Sequence, residues 1–206
     1  MFLPFVRCVI LNGSLASGDH KKSSDIDILI IAKSKRIFTC RFFVNAVTTM
    51  LGIKRSSDRT KSHAGKFCFN YFLIEGYLKI NYPKEREEYC AQNYSQSQFV
   101  AGDSDLFNKF LKLNKQLFNK FSYVPDPILS SRGQRSWRSI IKDCFVSLAM
   151  TRCVQNFTEL FFGSWFENRA RSYQINRIKR DSITKKYPDL IVFNGKELRF
   201  HPPKQS

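Results

Sequence analysis

The chain has 206 residues, 43% of them hydrophobic and 20 of them phenylalanine, which is enough to bury a sizeable core and excludes disorder throughout. Its 34 basic and 17 acidic residues leave a net charge of +17, a balance that favours polyanionic partners: nucleotides, nucleic acid or an acidic membrane face. No window approaches the ~20 uncharged apolar residues of a membrane span, and six cysteines without a Cys-x-x-Cys pair read as neither a zinc site nor an obvious disulfide framework. Buried reduced thiols and a cytoplasmic location follow as expectations. Arg7 interrupts the apolar start and no small-residue cleavage site follows it, so no signal peptide is read.

In chain order, residues 5–12 read as a strand, Leu15 to Gly18 as a short helical turn and Asp19 to Ser24 as a polar loop. A second strand covers 25–32. Residues 36–51 place Ile37, Phe38, Cys40, Phe43, Val44, Val47 and Met50 at mixed three- and four-residue steps, which predicts a helix packed on a sheet and stopped by Gly52. Lys54 to Lys66 is a polar loop, and 67–73 a third, buried strand. Glu75-Gly76 makes a turn after which Tyr77 to Ile80 is expected to pair back as a hairpin. Residues 84–95 read as a helix. A second helix covers 104–121, with Leu106, Phe110, Leu113, Leu117 and Phe121 on one face and Asp103 or Ser104 as its cap. Val124-Pro125-Asp126-Pro127 breaks the chain. A long helical stretch from about 136 to 175 follows, interrupted near Gly163. Asn194-Gly195 predicts a hairpin between Leu190–Phe193 and Leu198–Phe200.

The chemistry concentrates at Gly13-Ser14 and Asp25-Ile26-Asp27. Strand side chains at i and i+2 share a face, so Asp25 and Asp27 project together at the start of a buried strand. Their repulsion needs an offset, which a divalent cation supplies. Gly13 lets the backbone approach an anion closely, and N–H groups at a following helix start can hold a phosphate. A phosphate grip beside paired carboxylates reads as metal-assisted phosphoryl or nucleotidyl transfer.

The segment Leu11-Asn12-Gly13-Ser14 through Asp25-Ile26-Asp27-Ile28 resembles the signature of the DNA polymerase beta-like nucleotidyltransferase superfamily. In that signature Gly-Gly or Gly-Ser is followed, after a gap of roughly nine to thirteen residues, by Asp-hydrophobic-Asp/Glu-hydrophobic. Lys66 to Leu73, Phe107 to Phe121 and Leu198 to Pro202 are similar to a bacterial and archaeal branch of it. The resemblance implies a mixed α/β (α+β) fold, a nucleotidyltransferase-type sheet with flanking helices followed by a mainly helical C-terminal part. Domains of 1–82 and 83–206 are expected. It also implies that Gly13 and Ser14 hold the triphosphate of a nucleoside triphosphate substrate and that Asp25 and Asp27 bind Mg2+ and serve catalysis. A nucleoside monophosphate would pass to an acceptor the sequence does not identify. Members usually carry a helix ahead of the first strand, whereas here the strand begins almost at Met1, so either another element covers that sheet face or the sequence begins late.

Catalytic members also carry a third acidic group on a strand beside the motif strand. Here the matching position holds Asn70, which can ligate a metal through its carbonyl but cannot act as a carboxylate base. Glu75 is the second candidate. Nine cations between Lys33 and Lys66 (Lys33, Lys35, Arg36, Arg41, Lys54, Arg55, Arg59, Lys61, Lys66) face one acid, Asp58. They suit either a cleft flank meeting triphosphate or an acidic acceptor such as nucleic acid, or else a solvated face. Arg169 to Lys186 is basic and contains Tyr173 but shows no aromatic interleaving along the chain. His20, ahead of the motif, is a phosphate or metal candidate; His63 and His201 offer less. The leading reading is a Mg2+-dependent nucleotidyltransferase. The alternatives are a non-catalytic nucleotide or RNA binder with a degenerate site, and an interaction subunit of a larger complex, with the oligomeric state open.

Overall fold

Near-continuous apolar runs such as Ile28-Leu29-Ile30-Ile31 can be satisfied only by a strand covered on both faces, and such runs build the centre of this protein. The computed structural model describes residues 3–19, 21, 23–56, 63–121 and 158–200. In chain order these form β1 (Val6–Asn12), α1 (Gly13–Ser17), β2 (Ile26–Ala32), α2 (Ile37–Met50), β3 (Phe67–Ile74), α3 (Glu87–Tyr94), β4 (Gln98–Gly102), α4 (Ser104–Lys120), α5 (Ser164–Arg180), α6 (Ser182–Lys186), β5 (Ile191–Phe193) and β6 (Glu197–Phe200). The strands make one six-stranded mixed sheet in the order β4-β1-β2-β3-β6-β5, with β2 and β3 parallel and the other neighbours antiparallel. The expected mixed α/β fold with flanking helices is the one observed.

Alternation along β1 and β2 divides the core in two. Val9, Leu11, Ile28 and Ile30 pack with Phe38 and Val44 of α2 and Ala170 of α5. Cys8, Ile10, Leu29 and Ile31 pack with Cys90 and Tyr94 of α3 and Phe110 and Phe118 of α4. Each fully buried aliphatic or aromatic side chain contributes ~1.5–3 kcal/mol. The α5 segment thus shares one sheet face with α2.

Most predicted elements fall within a residue or two of their observed bounds, including α1, the stop at Gly52 and the Asn194 turn, where Asn194 Oδ1 accepts from the N–H groups of Lys196 and Glu197, both at 2.8 Å. Asp103 caps α4 by accepting from Asp105 and Leu106. Gly163 separates a helical turn at 158–161 from α5. The greater part of the predicted 136–175 helix, and the Pro125–Pro127 break, lie outside the described residues.

Three expectations change. Tyr77 to Ile80 makes no hairpin beyond a single bridge from Ile74 to Tyr77. Its backbone is claimed instead by Asn114 of α4, whose amide accepts from Ile80 N–H at 2.8 Å and donates to Leu78 O at 2.9 Å. The buried stripe of α4 therefore runs Phe110, Asn114, Phe118, while Leu113 is 45% exposed. Finally β4, which the sequence reading passed over, pairs with β1, and the sheet takes strands from both sides of residue 83.

Candidate active site

The turn from β1 into α1 and the start of β2 meet because β1 and β2 are antiparallel, with Asn12 opposite Asp27. Gly13 takes φ +68°, the left-handed region, and a Cβ built there would stand 2.6 Å from Asp27 Oδ2. Glycine is required twice over, for its backbone angle and for the carboxylate lying against it. Ser14 follows in the first turn of α1, partly exposed, in a helix start that carries no acidic residue. The motif turn is fastened from β4. Gln98 Nε2 donates to Ala16 O at 2.8 Å, and the Ser97 hydroxyl lies 2.6 Å from the side-chain amide of buried Asn12.

Asp25 precedes β2 and Asp27 is its second residue, so the two carboxylates share the face predicted for them. The parallel neighbour β3 sets Cys68 opposite Asp27 and Tyr71 opposite Leu29, three residues against two. This bulge shifts the pleat of β3. Phe67 and Phe69 face α2, yet Tyr71 and Leu73 face the other core and Phe72 returns to the first. Asn70 comes to the carboxylates at that shift and donates from Nδ2 to Asp27 Oδ1 at 3.2 Å.

Ligand atoms of Asp25, Asp27 and Cys68 all lie within 4.8 Å of one another. Burial, then the charge of Asp25, pushes the Asp27 carboxyl up to about 7, against the opposing hydrogen bond from Asn70 and the charge of Arg55. Burial and the two aspartates likewise raise the Cys68 thiol well above its usual range. The one cation in direct contact among the described residues is Arg55, whose Nη1 lies 2.5 Å from Asp25 Oδ2 and 3.7 Å from Cys68 Sγ. Tyr89 of α3 adds a phenol held protonated by burial and by the nearby Asp27 charge. Two carboxylates and a thiol closing on one point, short of positive charge, are a donor set that a divalent cation fits.

Gly13, Ser14, Asp25, Asp27 and Asn70 thus converge on one end of the sheet. Glu75, the alternative third acid, does not. It follows the last residue of β3, seven positions and roughly 20 Å of strand beyond Cys68, where it accepts from Ser34 N–H at 3.1 Å beside Arg7. Sequence reasoning missed Cys68 and Tyr89 as members of the cluster and named Arg55 only within the nine-cation set. Cys68 was discarded because cysteines were weighed by mutual spacing, although its i−2 relation to Asn70 on one strand was a usable signal. The nine cations do not form one flank: Lys33 pairs with Glu159 at 2.9 Å, Lys66 caps Gly52 O at 2.7 Å, and Arg59 and Lys61 lie outside the described residues. His63 sits in the turn before β3 with its Nδ1 buried and unpartnered; His20 and His201 lie outside the described residues.

Residues 2–96, which span the motif turn, the two aspartates and β3, match the family model described as a nucleotidyltransferase domain. No curated protein matches in sequence. A solved structure described as "Crystal structure of the toxin-antitoxin with AMP-PNP" aligns at 16% identity over 69% of this chain and 88% of that chain, with a TM-score of 0.34, a likeness too loose to bear on function. Among the described residues no helix is long and apolar enough to cross a membrane.

Proposed function

We propose, from the premise that residues 2–96 form a nucleotidyltransferase domain, that this chain transfers a nucleoside monophosphate from a nucleoside triphosphate to an acceptor hydroxyl, with Mg2+ held by Asp25 and Asp27. The observation that carries the reading is the convergence of Asp25, Asp27 and Cys68 within 4.8 Å, directly against the left-handed Gly13 turn. Bound there, a divalent cation supplies charge neutralisation for the triphosphate and the leaving group. Gly13 and Ser14 offer the first N–H groups of α1 and a hydroxyl to the β- and γ-phosphates. The turn being fastened by Asn12 and Gln98, the protein's own part is in-line positioning. The acceptor oxygen bonds to the α-phosphorus as the bond to pyrophosphate breaks. Pyrophosphate departs with the electron pair and the hydroxyl proton goes to solvent.

Nucleotide with Mg2+ should raise the melting temperature of the wild-type chain and produce labelled acceptor. Asp25→Asn with Asp27→Asn should lose both effects while keeping the fold. Equal stabilisation of wild type and double variant would sink the proposal.

Asn70 favours a second reading, a binder whose third carboxylate is missing. It donates to Asp27, where a carboxylate would compete for the cation. Asn70→Asp separates the two. A gain in turnover or in Mg2+ affinity marks a weakened enzyme. Tight nucleotide binding with no transfer from either form marks a binder.

A further inference from the structure

The α5 helix presents an exposed row at four-residue spacing, Trp165, Arg169, Tyr173 and Arg177, in which aromatic and cationic side chains alternate. Read along the chain the residues look merely basic; wound into a helix, they become neighbours. Trp165 is 69% and Tyr173 61% exposed, unusual for large rings on a helix whose opposite face, through Ala170, Gln174 and Ile178, is buried. Arg169 already lies over the Trp165 ring, its Cζ 5.4 Å from the centroid. Residues 164–186 carry seven cations and two acids. One of those acids, Glu167, is turned inward and spent on the backbone N–H groups of Phe38 and Thr39, so it cannot neutralise the exposed face.

The row ends beside a cluster of like charges. Arg177 lies close enough to Arg41 to press on its guanidinium electrostatically, after burial itself, and Arg41 and Arg177 press likewise on the Lys54 ammonium. Among the described residues none of the three has a carboxylate partner in an ion pair. Arg41 is held in place by Gln174 Oε1 at 2.8 Å and by the Phe200 ring, 4.5 Å from its Cζ, both neutral groups. Positioned cations without counter-charge suit an anion from outside. Lys54 is next in sequence to Arg55, which contacts Asp25, so the cluster adjoins the candidate active site.

We infer that the α5 row and the Arg41–Lys54–Arg177 cluster bind single-stranded nucleic acid, phosphates on the cations and bases stacked on Trp165 and Tyr173. Its role as acceptor rests on the transferase reading above, while the binding does not. Stacking rings alternating with cations are what a flexible strand needs and what a base-paired duplex, with its π faces hidden, cannot use. A protein partner would leave the uncompensated cations without purpose unless it were itself strongly acidic.

The test uses the full chain and fluorescence anisotropy with labelled single-stranded RNA and DNA oligonucleotides, the matching duplex, and inorganic polyphosphate as a baseless polyanion. Trp165→Ala and Tyr173→Ala, both at exposed positions, should each weaken single-strand binding by about 5- to 100-fold and leave polyphosphate unaffected. Arg177→Gln should weaken both and lower the salt slope by ~0.7. The RNA and DNA arms decide which sugar is preferred. Wild-type affinity in Trp165→Ala/Tyr173→Ala overturns the inference, as do duplex or polyphosphate bound as tightly as the single strand, or no binding at all. A chain that binds the strand through this row yet transfers nothing overturns the transferase reading alone. Transfer to an oligonucleotide with unchanged acceptor KM in Trp165→Ala/Tyr173→Ala overturns the row alone.

Discussion

Asp27 shows how one residue can be both the best and the most expensive part of a site. Its carboxyl, raised from 3.8 to about 7, binds a proton more readily in the folded than in the unfolded chain. That proton's contribution to stability is complete below about 3.8 and is lost as pH climbs through about 7. The metal-free protein should therefore lose stability across that window, seen as a falling melting temperature in buffered scans, and Asp27→Asn should flatten the slope. Gly13 offers a sharper test. Gly13→Ala places a methyl 2.6 Å from Asp27 Oδ2 at a φ of +68°. Nucleotide binding with Mg2+, measured by calorimetry, should fall at least tenfold, whereas Ser14→Ala should cost about 0.5–1.5 kcal/mol, one neutral hydrogen bond. At this scale the sequence spoke clearly where spacing alone sets geometry, as for Asp25 and Asp27 on one strand face. It was silent where geometry depends on a backbone irregularity. Asn70 was placed beside the carboxylates by its match to the family position, but no pattern in Phe67 to Ile74 announces the bulge itself.

Helix α2 begins without a cap of its own, since Arg36 at its N-cap position makes no side-chain capping bond. Glu167 of α5 fills the role from 128 residues away, accepting from Phe38 N–H at 3.1 Å, Thr39 N–H at 2.8 Å and the Thr39 hydroxyl at 2.5 Å. A carboxylate at a helix N-terminus satisfies orphan donors and opposes the positive end of the macrodipole. Glu167→Ala should cost about 2–3 kcal/mol in urea unfolding, well beyond an ordinary cap deletion, because buried donors are left unpaired. Glu167→Gln should cost less. Such a cap is invisible to sequence reading, which looks for Ser, Thr, Asp or Asn immediately ahead of the helix and finds them at Asp103. The strand β4 escaped for a related reason. Gln98 to Gly102 is short, begins with a polar residue and ends on a glycine, a weak strand signal. What keeps it in the sheet is fit to β1, where Gly102 at φ +105° lies so close that a Cβ would come within 2.2 Å of Arg7 O.

Over the whole molecule, the segment after residue 157 is tied to the first strand by Glu159. That carboxylate accepts from Phe5 N–H at 3.1 Å, from Arg7 at 2.9 and 3.0 Å and from Lys33 at 2.9 Å. Burial works against its charge, but these hydrogen bonds prevail and hold its pKa down to about 2. A depressed acid stabilises the fold above its ordinary value of 4.5, and that contribution fades as pH falls towards about 2. Acid unfolding of the wild type should thus be steeper below pH 4.5 than that of Glu159→Gln, by circular dichroism at matched ionic strength. Core strands and amphipathic helices were legible because periodicity encodes burial; the ties between distant segments were not, because a single Glu carries no mark of its partner.

The pairing of β3 with β6 has a consequence for how the chain is made. The Tyr71 hydroxyl donates a hydrogen bond to Glu197, 126 residues downstream, so the strand that carries Cys68 and Asn70 is synthesised long before its neighbour. At ~5–20 residues per second, the ribosome needs roughly 6–25 s to cover that distance. For that interval the nascent chain holds Phe-Cys-Phe-Asn-Tyr-Phe-Leu-Ile with one edge open, eight uncharged, β-prone residues of the kind that nucleates aggregation. Chaperone demand during translation should therefore follow the delay before β6 emerges, and slowing translation between residues 75 and 197 should lower soluble yield even though the finished protein is unchanged.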